Sequence, residues 1–219
     1  MWHALRVRSA HAGFLESCRN LREGRDYWSG VSPWSRRVLG AVLPVPLVGL
    51  LPEGKPVADA LERLERDCRK RPLSVDALLD YHRNIDPACG GAYRSGEVRM
   101  TSSTVTPPPA TRVRSLMGQL GAKLLGLQAA WDEERPALDP ALREAMDVYQ
   151  RIGYIHPFRD GNGRVARLAL NHLMRRYDHP YVVLPPLSES PALMDALQEG
   201  HRGNLNPLVC FGRLCLRQV

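Results

Sequence analysis

Aromatic side chains are scarce in this 219-residue chain, at 6% of residues, and β-branched residues do not dominate it. Sheets are rich in both kinds, so their shortage leans the fold towards helix. Paired cysteines are also missing. The five present (Cys18, Cys68, Cys89, Cys210, Cys215) are odd in number and include no Cys-x-x-Cys pair. That argues against a disulfide framework or a zinc site and for a reducing compartment. No stretch approaches the length of a membrane span, and the apolar run Val38 to Leu51 is broken by Gly40, Pro44, Pro46 and Gly49. The first residues, Met1-Trp2-His3-Ala4-Leu5-Arg6, lack the apolar core and small-residue cleavage site of a secretory leader. A cytoplasmic protein is the expectation, with export by a dedicated secretion system as the alternative. Internal repeats and low-complexity segments are absent as well.

What is present is ordinary globular material. Hydrophobic residues make up 44% and charged residues 24%, enough for one domain with an N-terminal extension. The net charge is +7, much of it arginine spread along the chain rather than gathered in one arm. Nucleotide phosphates or an acidic protein target account for that charge as well as DNA or RNA would, and nucleic acid is not expected as the principal partner.

Helix punctuation recurs along the chain. Ser32-Pro33, Ser74, Asp139-Pro140, Ser190-Pro191 and Asn206-Pro207 all read as helix starts. Val57, Leu61, Leu64 and Cys68 mark an amphipathic helix, and Leu78, Tyr81 or His82, and Ile85 face inward on the next. A long helix is predicted from about Thr111 to Trp131, and another carries Leu142, Met146, Tyr149 and Ile152. Between Cys89 and Thr106 the pattern changes. Gly90-Gly91, a Ser95-Gly96 turn, Val98, Met100 and Val105 predict an extended flap or hairpin ended by Pro107-Pro108-Pro109. Tyr181 to Leu184 is a short extended run. The fold class expected is all-α, a helical bundle with a short β-hairpin flap. Its division is a helical, regulatory extension over 1–70 and a domain over 71–219.

The chemistry concentrates in His156-Pro157-Phe158-Arg159-Asp160-Gly161-Asn162-Gly163-Arg164, with Arg167 three residues on. Val165, Leu168, Ala169 and Leu173 have helical spacing, which places the glycines at a helix N-terminus. Free N–H groups and the positive end of the helix dipole suit phosphate there. Glycine lets the backbone approach an anion without a Cβ in the way. Arg164 and Arg167 share a helix face and can clamp further oxygens. Asp160 is an oxygen ligand of the kind Mg²⁺ takes alongside nucleotide phosphates, and His156 has the pKa of a general base near neutrality. Taken singly, each residue has an ordinary structural use: a helix-terminal histidine, an N-cap aspartate, a glycine turn, a solvated arginine face. Their coincidence at one spacing is what points to a site.

The stretch resembles the Fic signature, His-x-Phe-x-(Asp/Glu)-Gly-Asn-Gly-Arg-x-x-Arg, with every specified position filled. Leu79-Asp80-Tyr81-His82, Gly91-Ala92-Tyr93-Arg94 and Pro207-Leu208-Val209-Cys210-Phe211 extend the resemblance to about Leu73 through Leu216. It implies transfer of AMP from ATP to a Ser, Thr or Tyr hydroxyl of a target protein, with pyrophosphate released. By resemblance, His156 takes the hydroxyl proton, Phe158 anchors the loop and Asp160 holds Mg²⁺. Gly161, Asn162 and Gly163 would cradle the α-phosphate, Arg164 and Arg167 the outer phosphates, and the flap from Glu97 to Val105 would align the target as an added strand. Transfer of UMP, GMP, phosphocholine or phosphate by the same fold is the alternative, as is a basic binding module without catalysis. Gly163 favours AMP, because Doc-like kinases carry lysine there. His82 reads as a core histidine, His172 lies too far along the motif helix, His179 and His201 lie in loops, and Glu133 and Glu134 mark an exposed turn.

Many Fic proteins are restrained by a helix of the form (Ser/Thr)-x-x-x-Glu-(Gly/Asn), whose glutamate pairs with the second motif arginine. Glu23, Glu53 and Glu199 precede glycine here, but Arg19, Gly49 and Asp195 stand four positions earlier, so none fits. The partners to test are therefore ATP, a target protein presenting a hydroxyl, a separate inhibitory protein and a second copy of the chain. If a built-in glutamate restrains Arg167, Glu23→Gly or Glu199→Gly should raise self-labelling with α-labelled ATP. No rise in either variant eliminates both glutamates.

Overall fold

Serine caps set two of the helix starts. Ser74 accepts a hydrogen bond from the Ala77 N–H at 3.1 Å and begins α1 (Val75–Ile85), which buries Leu78, Tyr81, His82 and Ile85 along one stripe. Ser190 caps the Leu193 N–H at 3.3 Å and begins α5 (Pro191–His201). Between them run α2 (Ala110–Glu133), α3 (Leu138–Ile155), α4 (Asn162–Arg176) and β1 (Tyr181–Val182). Helix α6 (Asn206–Leu214) and strand β2 (Leu216–Arg217) follow α5. The computed structural model describes residue 64 and residues 66–217, except 87, 89, 101–104, 185–186 and 188–189. The extension expected over 1–70 lies almost entirely outside the described residues, as do the Ser32-Pro33 start and most of the Val57 to Cys68 helix. Residues 66–70 are helical.

Helix α4 forms the centre. It packs most closely against α3 and also against α1 and β1, and none of its residues is exposed. Val165, Leu168, Ala169, Leu170 and Leu173 are each fully buried, so the residues that follow the signature form the middle of the hydrophobic core. The fold is all-α as expected, but its strand pairing differs from expectation. Tyr181–Val182 pairs antiparallel with Leu216–Arg217, while flap residues 97–100 form no strand and 101–104 are outside the described residues. Glu97 Oε1 accepts the Ala110 N–H at 3.0 Å and so caps α2, whose N-cap, Pro109, has no side-chain cap of its own. Asn206 and Asp139 also depart from their expected capping roles. Asn206 Oδ1 accepts from Arg143 at 2.8 Å and Asp139 pairs with Arg213 at 2.7 Å, and α6 begins one residue and α3 two residues earlier than the cap reading placed them.

Buried polar groups join the segments that the apolar core does not. Gln128, on α2, accepts the Leu73 N–H at 2.7 Å and donates to the Leu73 carbonyl at 2.8 Å. Asn171, on α4, does the same for Val182, at 2.8 and 3.2 Å. In both cases one carboxamide satisfies a passing residue's donor and acceptor, as a neighbouring strand would. His172 Nε2 donates to the Arg71 carbonyl at 3.0 Å, so its Nδ1 accepts the Tyr81 hydroxyl at 2.7 Å. Burial holds this imidazole neutral, with its pKa pushed down to about 4.

Gln128→Ala strands both Leu73 groups in an apolar interior and should cost about 2–4 kcal/mol. Urea unfolding measures it, and a loss below about 0.5 kcal/mol, the level of a surface substitution, would contradict the role.

Candidate active site

The loop between α3 and α4 begins where His156 closes α3 in the left-handed region, at φ 49° and ψ 58°. That conformation is unfavourable for a residue with a Cβ, so the surroundings must hold it. The chain then buries Phe158 completely. Its ring stacks on the His82 imidazole with centroids 3.8 Å apart and planes 10° from parallel. The Asn162 carboxamide closes the loop on itself, accepting the Phe158 N–H and donating to the Phe158 carbonyl, both at 2.8 Å. His82 anchors the other side. Its Nδ1 accepts the Gly91 N–H at 3.1 Å, which leaves Nε2 as the protonated nitrogen, donating to the Asp160 carbonyl at 3.0 Å. Gly161 turns the chain at φ 79°. A Cβ there would sit 3.2 Å from Ile85 Cγ2 and 3.3 Å from His82 Cδ2, so glycine is required on both conformational and steric grounds.

This loop puts an uncapped helix end beside titratable groups. Gly161 is the N-cap of α4 and offers no side-chain cap. The first helical bond runs from the Val165 N–H to the Gly161 carbonyl at 2.9 Å, so the N–H groups of residues 162–164 precede the hydrogen-bonded ladder. Asp160 is 80% exposed on its side chain and pairs with Arg164 at 2.7 Å. Arg167 is buried, and its Nη1 donates to the Gly163 carbonyl at 3.2 Å. His156 Nδ1 lies 3.3 Å from the Gly153 carbonyl and must carry its proton to bond there, leaving Nε2 as the basic nitrogen. Burial lowers the His156 pKa, the Gly153 bond opposes it, the positive charge of Arg94 lowers it further, and Asp160 raises it. The net shift is downward, so the imidazole is neutral at pH 7.

The seven residues expected at the site therefore occupy one loop and the first turns of one helix. Asn162 sits there differently from expectation. Its Oδ1 and one Nδ2–H bond to Phe158, so the side chain serves to close the loop. Of the histidines set aside, His82 packs directly under the loop and positions it, which no motif in the sequence marks. His172 lies in the core, and His201 ends α5 rather than lying in a loop, with Nδ1 2.6 Å from Gln150 Nε2. Glu133 and Glu134 are exposed. Glu199 pairs with Arg202 at 2.6 Å, and Glu23 lies outside the described residues. Arg94 belongs to the Gly91-Ala92-Tyr93-Arg94 stretch of the resemblance, which assigns it no role. It is buried, its Nε donates to the His156 carbonyl at 2.7 Å, and its backbone N–H donates to Pro157 at 2.9 Å. Its advance signal is the match of Gly91-Ala92-Tyr93-Arg94 to the family pattern, which names the residue without saying what it binds.

Among the described residues no three His, Cys, Asp or Glu side chains converge on a metal position, so Asp160 would offer a cation a single carboxylate. That fits Mg²⁺, which is held by one or two carboxylates together with substrate phosphates, and would not fit a cage-bound structural metal.

Fold and loop together define a helical domain with an uncapped glycine turn at the start of its central helix. The Fic/DOC family model matches residues 72–174, so that stretch is similar to a Fic/DOC domain. It is 34% identical over 143 residues to protein adenylyltransferase fic-1 of Caenorhabditis briggsae, covering 64% of this chain and 26% of that one. Against protein adenylyltransferase Fic of Culex quinquefasciatus the identity is 29% over 151 residues, covering 67% and 28%. The chain thus spans about a quarter of the length of these relatives. In fold it is similar to a Fic domain-containing signaling protein from Bacteroides thetaiotaomicron, with TM-score 0.66, 20% identity and coverage of 97% of this chain and 86% of that one. BepC of Bartonella tribocorum, solved with bound AMPPNP, gives TM-score 0.56 at 17% identity, with coverage of 75% and 90%.

The His82 and His156 pKa values both lie below the ordinary 6.5. A histidine depressed in the folded state takes up its proton more readily when unfolded. Stability is then complete above about pH 6.5 and declines as the pH falls below it. Chemical unfolding across this range should show the decline, and His82→Gln should lessen it. A wild-type profile with no decline on acidification would contradict the assignment.

Proposed function

We propose that the chain is a protein adenylyltransferase, transferring AMP from ATP to a Ser, Thr or Tyr hydroxyl of a target protein. The observation that carries this is the placing of a neutral imidazole, held by its own backbone, on the same short loop as an uncapped helix N-terminus. The adenylyltransferase names of the relatives and the AMPPNP bound to BepC support the same chemistry.

The target hydroxyl oxygen forms a bond to the α-phosphorus as the bond from that phosphorus to the bridging oxygen of the β-phosphate breaks. Pyrophosphate leaves with the electron pair. The hydroxyl proton passes to Nε2 of His156, since a hydroxyl is a poor nucleophile without a base. Backbone N–H groups of residues 161–163 hold the α-phosphate oxygens where charge develops, and Arg164 and Arg167 hold the outer phosphates. Asp160 would hold Mg²⁺, which would supply charge neutralisation at the nucleotide phosphates. Asp160 must then exchange its Arg164 partner, at small cost because the pair is exposed. Gly163 keeps the turn free of bulk, which favours AMP over phosphate transfer, although a Cβ there would already lie 3.3 Å from Arg167 Nη1. The target segment lies along the flap that begins at Glu97. A separate inhibitory protein and a homodimer are further partners of this reading.

His156→Ala should reduce labelling from α-labelled ATP to background while thermal stabilisation by Mg²⁺ and ATP persists. Mass spectrometry of labelled lysate proteins identifies the residue carrying AMP. Undiminished labelling by His156→Ala would remove the base from this mechanism.

A further inference from the structure

Arg94 buries a positive charge in a place where apolar packing would serve a purely structural purpose. Only 2% of its side chain is exposed. Its three guanidinium nitrogens reach three separate segments. Nε donates to the His156 carbonyl at 2.7 Å, Nη1 to the Gly96 carbonyl at 3.0 Å, and Nη2 to the Pro108 carbonyl. Gly96 stands just before the flap and Pro108 just after it. The carboxylate of Glu97, the first flap residue, lies 3.8 Å from Nη1 and also caps α2. One rigid planar group therefore ties both ends of the flap to the carbonyl of the residue carrying the base. A guanidinium can do this because its donors diverge at fixed angles, whereas an ammonium is a single point. The His156 carbonyl it binds is also one of those left without a helical partner at the end of α3, where a cation is favoured. That bond helps to hold His156 in its left-handed conformation.

We propose that Arg94 is a positioning residue that fixes the register between the His156 base and a target segment lying along the flap. This rests on the adenylyl-transfer reading above. The bonds of the Arg94 guanidinium run to the carbonyls of His156, Gly96 and Pro108 rather than to the glycine turn, so its loss should separate transfer from nucleotide binding. A misplacement of about 1 Å between base and hydroxyl is enough to cost on the order of 100-fold in rate.

The test uses the full chain with Arg94→Gln and Arg94→Lys, the second retaining the buried charge should the first fail to fold. Three measurements are made: thermal stabilisation by Mg²⁺ and ATP, transfer from α-labelled ATP into a cell lysate, and NMR titration of the His156 imidazole with its Cα shift. In both variants nucleotide binding should stay near wild type while transfer falls about 100-fold. The His156 midpoint should rise in Arg94→Gln, which removes the adjacent positive charge, and stay low in Arg94→Lys. Its Cα shift should move in both, as the left-handed residue relaxes. Wild-type transfer by either variant, or parallel loss of nucleotide binding and transfer, overturns the proposal. If the wild type transfers nothing from ATP, it is the functional reading that fails. The His156 signals still decide Arg94, and an unmoved Cα shift in a folded variant overturns it.

Discussion

The two 2.8 Å hydrogen bonds between the Asn162 carboxamide and the backbone of Phe158 are the constraint on which the rest of the site depends. They join Phe158, in the middle of the connecting loop, to the first residue of the central helix. The loop can then leave α3, bury an aromatic ring and enter α4 within six residues. Every other site feature inherits its position from this closure. Gly161 must turn in the left-handed region because the loop is so short, and the bare end of α4 faces outward because its first side chain is turned inward.

The closure works because its underside is equally fixed. His82 presents a flat ring to Phe158 and a hydrogen bond to each neighbouring strand of backbone, at Gly91 and at Asp160. With one nitrogen donating and the other accepting, a single neutral tautomer is specified. The same economy recurs in Gln128 and Asn171, whose carboxamides take both backbone groups of Leu73 and Val182. A helical domain of this kind joins its irregular segments through side chains, since it has almost no sheet to do so.

How much of this can be read from sequence follows from how local each cause is. Ser74 and Ser190 announce their helices because the cap and the capped N–H lie within a few residues of each other. The motif helix is legible from Gly161 and Gly163 at one end and the run of apolar residues behind them. The starts of α3 and α6 are less legible, because Asp139 and Asn206, though good caps by type, are used by Arg213 and Arg143 far along the chain. The pairing of Tyr181–Val182 with Leu216–Arg217 is two residues long and has no local signal. At the site, the chemistry-bearing residues are fixed by their spacing. Arg94 and His82 are not, because what they bind are main-chain carbonyl and N–H groups, which every residue possesses and no alphabet of side chains reveals.

Helix α4 has no exposed residue along its whole length, and this restricts how the protein can change. Its first turn carries the uncapped N–H groups and the motif arginines, while its later turns hold the middle of the core, so substitutions along it disturb either the proposed site or the packing. New specificity, whether arising by natural drift or introduced by an engineer, has room only on the surrounding segments: the chain from Tyr93 to Pro109, the exposed faces of α2 and α3, and the stretch preceding α1. The helix acts as a fixed axle, and diversification must proceed around it.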